Sequence, residues 1–186
     1  MKKIFVIALA AAAMLSSCGN DDKTTWDEYA EWREANNAWM AEMQAKKNAD
    51  GTPYYTTVVP EWNPGTYVLI HYLTDRAETE GNLSPIYTST VDTRYTLYLY
   101  DGTPADSSDL LTSNGPGVYR TKLNAVVQGW AIALPEMRCG DSAEVIVPYS
   151  AGYGSSSIGD IKPYSALHFH IRLVDIPYYE KPPYTK

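Results

Sequence analysis

Few side chains in this chain could make or break a bond, and their spacing argues against each obvious chemistry. His168 and His170 stand two apart in an alternating segment, so both project from one face of a strand. Two imidazoles so placed could hold a metal, yet no third ligand stands near them in the sequence. Phe169 between them should face the core, which leaves the histidines on a solvated face, and the expectation is no metal and no cofactor. Asp106, Ser107 and Ser108 are local to one turn, where Asp106 can cap through Ser108. No nucleophile elbow surrounds them, so a Ser-His-Asp hydrolase is unsupported. His71, beside Tyr72, has no evident partner and reads as a strand residue. The chain has no CxxC, no HExxH and no glycine loop suited to cradling phosphate. Its two cysteines are Cys18 and Cys139; the latter, just before Gly140-Asp141, reads as a small packing residue.

Alternating segments must position these groups. Residues 66–74, 94–100 (RYTLYLY), 143–148 and 166–176 read as strands, and residues 125–134 carry the domain's only helical pattern. Between them, residues 76–92 read as a polar insertion and residues 114–117 as a Gly/Pro loop. Many strands around one short helix predict an α+β fold, an antiparallel sheet wrapped around a helix. Ahead of it, residues 24–47 predict an amphipathic helix, with Thr25 and Glu28 spaced as a capping box. Tyr29, Trp32, Asn36, Trp39, Met40 and Met43 fall on one side of it, and Glu31, Glu34 and Glu42 mostly on the other. Such a face either packs on its own domain, the favoured reading, or pairs two chains as a homodimer through residues 24–47. Residues 48–64 are a turn-rich linker with room for a short strand at 54–59, residues 65–177 form the domain, and residues 178–186 are a Pro/Tyr tail.

Residues 1–17 read as a signal peptide: Lys2 and Lys3, then an apolar run too short to span a bilayer. Leu15-Ser16-Ser17-Cys18 resembles a bacterial lipobox, which makes Cys18 the expected lipidated residue and membrane tether. The polar stretch after it, residues 19–23, resembles export signals of Bacteroidetes-type surface lipoproteins and serves equally as a flexible tether. The expected place is the cell envelope, anchored to the outer membrane. With one cysteine left after processing, no internal disulfide can form, so the fold must stand on its core. The net charge is −7, and without Lys2 and Lys3 the remaining 13 basic and 22 acidic residues give −9. That balance argues against nucleic acid as a partner. Sixteen tyrosines and five tryptophans suit a β-rich domain with stacking surfaces.

The order and spacing of VVQGW (126–130), GDSAEVIVP (140–148), GYG (152–154) and LHFHIRLVDI (167–176) resemble the core of the FKBP-type peptidyl-prolyl isomerases. The resemblance extends over residues 65–176. It implies rotation about X-Pro bonds of polypeptide substrates, without nucleophile or metal.

The family's pattern assigns roles residue by residue. It implies Trp130 as the pocket floor, Tyr153 as hydroxyl donor to the ligand carbonyl, and Tyr72, in IHY, as the wall tyrosine of the family's VHY strand. Asp106 matches the aspartate of DGxxFDSS, and Phe169 the aromatic of the last strand. Val126 and Val127 match positions contacting the bound carbonyl region, Ile161 the isoleucine before IPP, and Tyr119 the phenylalanine on the strand before the helix. Two departures stand out: Ala105 where the family has phenylalanine, and Lys162 for the first proline of IPP. The resemblance therefore leaves two functional expectations, an isomerase of exported proteins or a peptide-binding module with little turnover. Composition and compartment alone suggest a third, glycan capture at the surface.

Overall fold

The computed structural model describes residues 24–178. The expected signal peptide, Cys18, the tether and nearly all of the tail lie outside them. Seven strands are present among the described residues: β1 (Thr56–Val58), β2 (Val68–Tyr72), β3 (Thr90–Tyr98), β4 (Pro104–Ser107), β5 (Tyr119–Lys122), β6 (Ser142–Val147) and β7 (Leu167–Asp175). They form one antiparallel sheet in the order β1-β2-β6-β7-β3-β4, with β5 also paired to β3. Helices α1 (Thr25–Glu28) and α2 (Ala30–Ala45) precede the sheet, and α3 (Gln128–Ala133) lies between β5 and β6.

Period-two alternation assigns the two sheet faces. Val68, Ile70, Val145, Val147, Leu167, Phe169 and Ile171 point to one side, where they bury Trp130, Ile132 and Ala133 of α3 in the main core. Leu69 and Ile146 point to the other side and form a second cluster with Met40 of α2, Tyr55 and Ala166. Helix α3 approaches the sheet closely because residue 129 is glycine. A Cβ there would lie 2.3 Å from Val147 Cγ1.

Helices α1 and α2 pack on their own domain, the reading favoured from the sequence. Their start is one residue earlier than predicted: Thr24 is the N-cap, forming a capping box with Asp27. The buried face of α2 includes Asn36 and Met40. Asn36 is a specific fastener, its Oδ1 accepting from the Ala166 N–H at 2.8 Å while its Nδ2 donates to the Trp32 carbonyl at 2.7 Å. Trp32 adds an indole N–H donated to Ser165 Oγ at 3.1 Å.

The polar insertion predicted over residues 76–92 is divided by the fold. Its last residues begin β3, while the earlier part wraps the turn before β6. Arg76 pairs with Asp141 at 3.2 Å, Thr79 Oγ1 donates to Asp141 Oδ1 at 2.6 Å, and the Arg138 N–H donates to Asp141 Oδ2 at 2.8 Å. Asp141 is fully buried, a charge that stays in the interior only because these partners surround it.

Candidate functional site

The N-terminal end of α3 meets β3, β5 and β7 at a cavity of about 250 Å³, lined by Tyr95, Asp106, Tyr119, Ala125, Val126, Val127, Trp130, Tyr153 and Phe169. Each element delivers its residue for a local reason. Val127 is the N-cap of α3, with extended backbone (φ −56°, ψ 145°), and the helix then turns Trp130 inward. Phe169 comes from the inward-facing row of β7. Tyr95 on β3 and Asp106 on β4 are brought together by the β3–β4 hairpin, which pairs Leu97 with Asp106. Tyr153 follows a short 3₁₀ turn (Tyr149–Ala151).

The rings meet edge to face. Trp130 lies 5.2 Å from Tyr95, 5.4 Å from Phe169 and 6.2 Å from Tyr119 between centroids, with interplanar angles of 84°, 76° and 78°. These are favourable aromatic geometries, and they hold the walls in place without filling the space between them. The cavity is small, below the roughly 300–1,000 Å³ of drug-sized ligand pockets, and suits a single apolar ring. Val126 separates it from a larger cleft of about 570 Å³ lined by Trp62, Tyr87, Leu123, Asn124, Gln128 and Ala131.

Polar groups sit at the rim. Tyr95 donates its hydroxyl to Asp106 Oδ2 at 2.7 Å, and Asp106 Oδ1 accepts from the Ser107 N–H at 2.8 Å. Burial, then the hydrogen bond to Asp106 and its charge, push the Tyr95 hydroxyl well above the usual tyrosine range. Burial, then the charge of Asp106, raise Tyr153 as well. Both hydroxyls therefore stay protonated donors at neutral pH. The segment that carries Tyr153 is fixed by Tyr164, whose N–H donates to the Gly154 carbonyl at 2.8 Å. The Tyr164 ring packs between Tyr149 and Trp26 of α1, at 5.5 and 5.3 Å.

Of the residues singled out from the sequence, Asp106, Tyr119, Val126, Val127, Trp130, Tyr153 and Phe169 converge on this cavity, and two do not. Tyr72 lies elsewhere: it donates its hydroxyl to the Glu136 carbonyl at 2.8 Å, and the Arg76 guanidinium covers its ring at 4.1 Å. The wall tyrosine is Tyr95, which the sequence reading missed. The signal was available, because Tyr95 lies 11 residues before Asp106 on the strand that must form a hairpin with it. Ile161 is buried in the main core and contributes no lining atom to the cavity. It closes a tight turn through reciprocal backbone bonds with Ile158. Lys162 is accounted for by α2, since its ammonium lies 4.5 Å over the Trp32 ring. One further expectation needs correction: His168 and His170 do have an ionisable neighbour, Glu144 on β6.

Comparison with known proteins agrees with this geometry. The profile of the FKBP-type peptidyl-prolyl cis-trans isomerases matches residues 82–174, a span that includes Tyr95 and excludes Tyr72. The Macrophage infectivity potentiator of Trypanosoma cruzi is 37% identical over 101 residues, covering 54% of this chain and 50% of that protein. The Outer membrane protein MIP of Legionella longbeachae is 36% identical over 93 residues, covering 50% of this chain and 38% of that protein. The match thus spans half or less of the length of these relatives. Among solved structures, a peptidyl-prolyl cis-trans isomerase from Pseudomonas syringae pv. tomato strain DC3000 superposes with a TM-score of 0.61 at 25% identity, covering 79% of this chain and 94% of that one. With half of its residues matched by the family profile and its fold shared with a solved member, the chain belongs to the FKBP-type peptidyl-prolyl cis-trans isomerase family.

Proposed function

We propose that the chain is a peptidyl-prolyl cis-trans isomerase that acts on X-Pro bonds of exported proteins. The observation that carries this reading is the convergence of Trp130, Phe169, Tyr95 and Tyr119 on one small cavity with the hydroxyl of Tyr153 at its rim. Rotation about a peptide bond is slow because amide resonance imposes a barrier of roughly 18–20 kcal/mol. Catalysis needs an environment that binds the twisted amide better than the planar one. The proline ring enters the aromatic cavity, where water is excluded. The carbonyl preceding it, carrying more charge once conjugation is lost, accepts from Tyr153 and from the backbone at Val127. Chain on either side of the proline extends across Val126 into the larger cleft. The Tyr95–Asp106 pair holds the rim open and keeps a fixed dipole beside the rotating amide.

The expected setting is the cell envelope, with Cys18 lipidated; the name of the Legionella longbeachae relative supports an outer-membrane association. Mass spectrometry of the protein extracted from membranes checks the lipid on Cys18.

A protease-coupled assay on an X-Pro peptide, run with the chain lacking residues 1–18, tests the activity. Acceleration is expected, falling by roughly 10- to 100-fold in Trp130→Leu and by about tenfold in Tyr153→Phe. Ala105 favours a second reading, a peptide-binding module with little turnover, because a methyl group stands where the family supplies a ring. A folded protein that binds the peptide without accelerating isomerisation would support that reading instead.

A further inference from the structure

The face of the sheet opposite the aromatic cavity carries a second constellation. β6 and β7 pair Glu144 directly with His170, and His168 follows two residues away on the same face. One ligand atom from each of the three lies within 4.8 Å of the others. His168 Nε2 is 3.7 Å from Glu144 Oε2, too far for a hydrogen bond. That nitrogen is buried and has no hydrogen-bond partner. We propose that Glu144, His168 and His170 form a binding site for a divalent transition metal of the zinc class.

The chemistry of the donors sets the class of ion. Two imidazoles and one carboxylate suit zinc, nickel or copper and disfavour magnesium and calcium, which demand oxygen. Bonds of about 2.0–2.1 Å place the ligands of a tetrahedral zinc about 3.3 Å apart. The His168–Glu144 pair is already within half an ångström of that separation, and His170, at the exposed end, closes the remainder by rotating its side chain. Tyr55 supplies the outer support a carboxylate ligand needs, donating its hydroxyl to Glu144 Oε2 at 2.7 Å. Three protein ligands leave the fourth position to water. The site opens on a cavity of about 390 Å³ between the sheet and the end of α2, bordered by Trp39, Met43 and Lys46. Lys46 opposes binding: its ammonium, seated 3.8 Å over the Tyr54 ring, borders the same cavity and repels a cation.

The test is zinc titration of the full chain, prepared without a histidine tag and stripped with chelator, followed by calorimetry and by the visible d–d absorption of the cobalt form. One metal per chain is expected, with affinity reduced at least about tenfold in His170→Asn. Lys46→Met should tighten binding, and zinc should raise the melting temperature of the parent but not of His170→Asn. Because His170 is exposed, that variant should fold and retain X-Pro isomerisation. No saturable binding, or equal affinity in parent and His170→Asn, would overturn the site.

Discussion

Tyr95 has two tasks at the rim of the cavity, closing a wall against Trp130 and orienting Asp106 through a 2.7 Å hydrogen bond. Tyr95→Phe removes only the second. The ring contacts survive, so folding should be unaffected, while Asp106 loses a neutral donor worth about 0.5–1.5 kcal/mol. The expected outcome is a drop of roughly 3- to 10-fold in kcat/KM with little change in Tm, read from isomerisation kinetics and thermal unfolding together. Asp141 is the contrasting case, since it touches no part of the cavity. Its carboxylate is fully buried among Arg76, Thr79 and the Arg138 N–H. Asp141→Ala strands those donors and should destabilise the fold by on the order of 3 kcal/mol, measurable by urea unfolding. At this scale the sequence was legible where a residue stands in a long motif, as Trp130 and Tyr153 do. It was ambiguous where two strands end alike. IHY at 70–72 imitates the expected tyrosine strand in three letters, but only RYT at 94–96 lies close enough to Asp106 to pair with it through a short hairpin. His168 and His170 were recognised as a same-face pair. Their third neighbour escaped notice because Glu144 arrives through strand register, which spacing along the chain does not encode.

Among the elements, α2 has the widest influence. It covers Leu69 and Ile146 with Met40, and it fixes the loop after Tyr153 through Trp32, Ser165 and Lys162. Removing residues 24–45 uncovers both, and burial of a large apolar side chain contributes about 1.5–3 kcal/mol. A chain beginning at residue 46 should therefore unfold at a lower urea midpoint and expose less new surface in doing so, giving a smaller m-value. The alternating strands β2, β3, β6 and β7 were readable because each buries a regular row. β4 and β5, four residues each, were not recognised as strands by pattern, since their residues are exposed or half-buried and their sequences, PADS and YRTK, do not alternate apolar with polar. The start of β3 was misread as insertion for a related reason. Asp92 is buried there only because Arg120 of β5 meets it with two donors at 2.7 Å, and a charged residue gives no hydrophobic signal.

For the molecule as a whole, tyrosine is the dominant titrating residue of the interior. Tyr54, Tyr55, Tyr67, Tyr72, Tyr95 and Tyr153 all have hydroxyls raised above the ordinary value, chiefly by burial. A group whose folded pKa is raised binds its proton more tightly when native. The stability it contributes is complete below the unfolded pKa, about 10, and is lost as pH climbs from there through the folded values. The protein should hold its stability from neutral to mildly alkaline conditions and unfold cooperatively above pH 10. Absorbance of tyrosinate and far-UV circular dichroism should then change together.

The strand β7 is the last strand among the described residues, yet it lies in the middle of the sheet with β6 on one side and β3 on the other. Until residue 175 has left the ribosome, β3 and β6 lack the partner that joins them. Closure of the sheet therefore waits on β7, and until it arrives the facing edges of β3 and β6 stay unpaired.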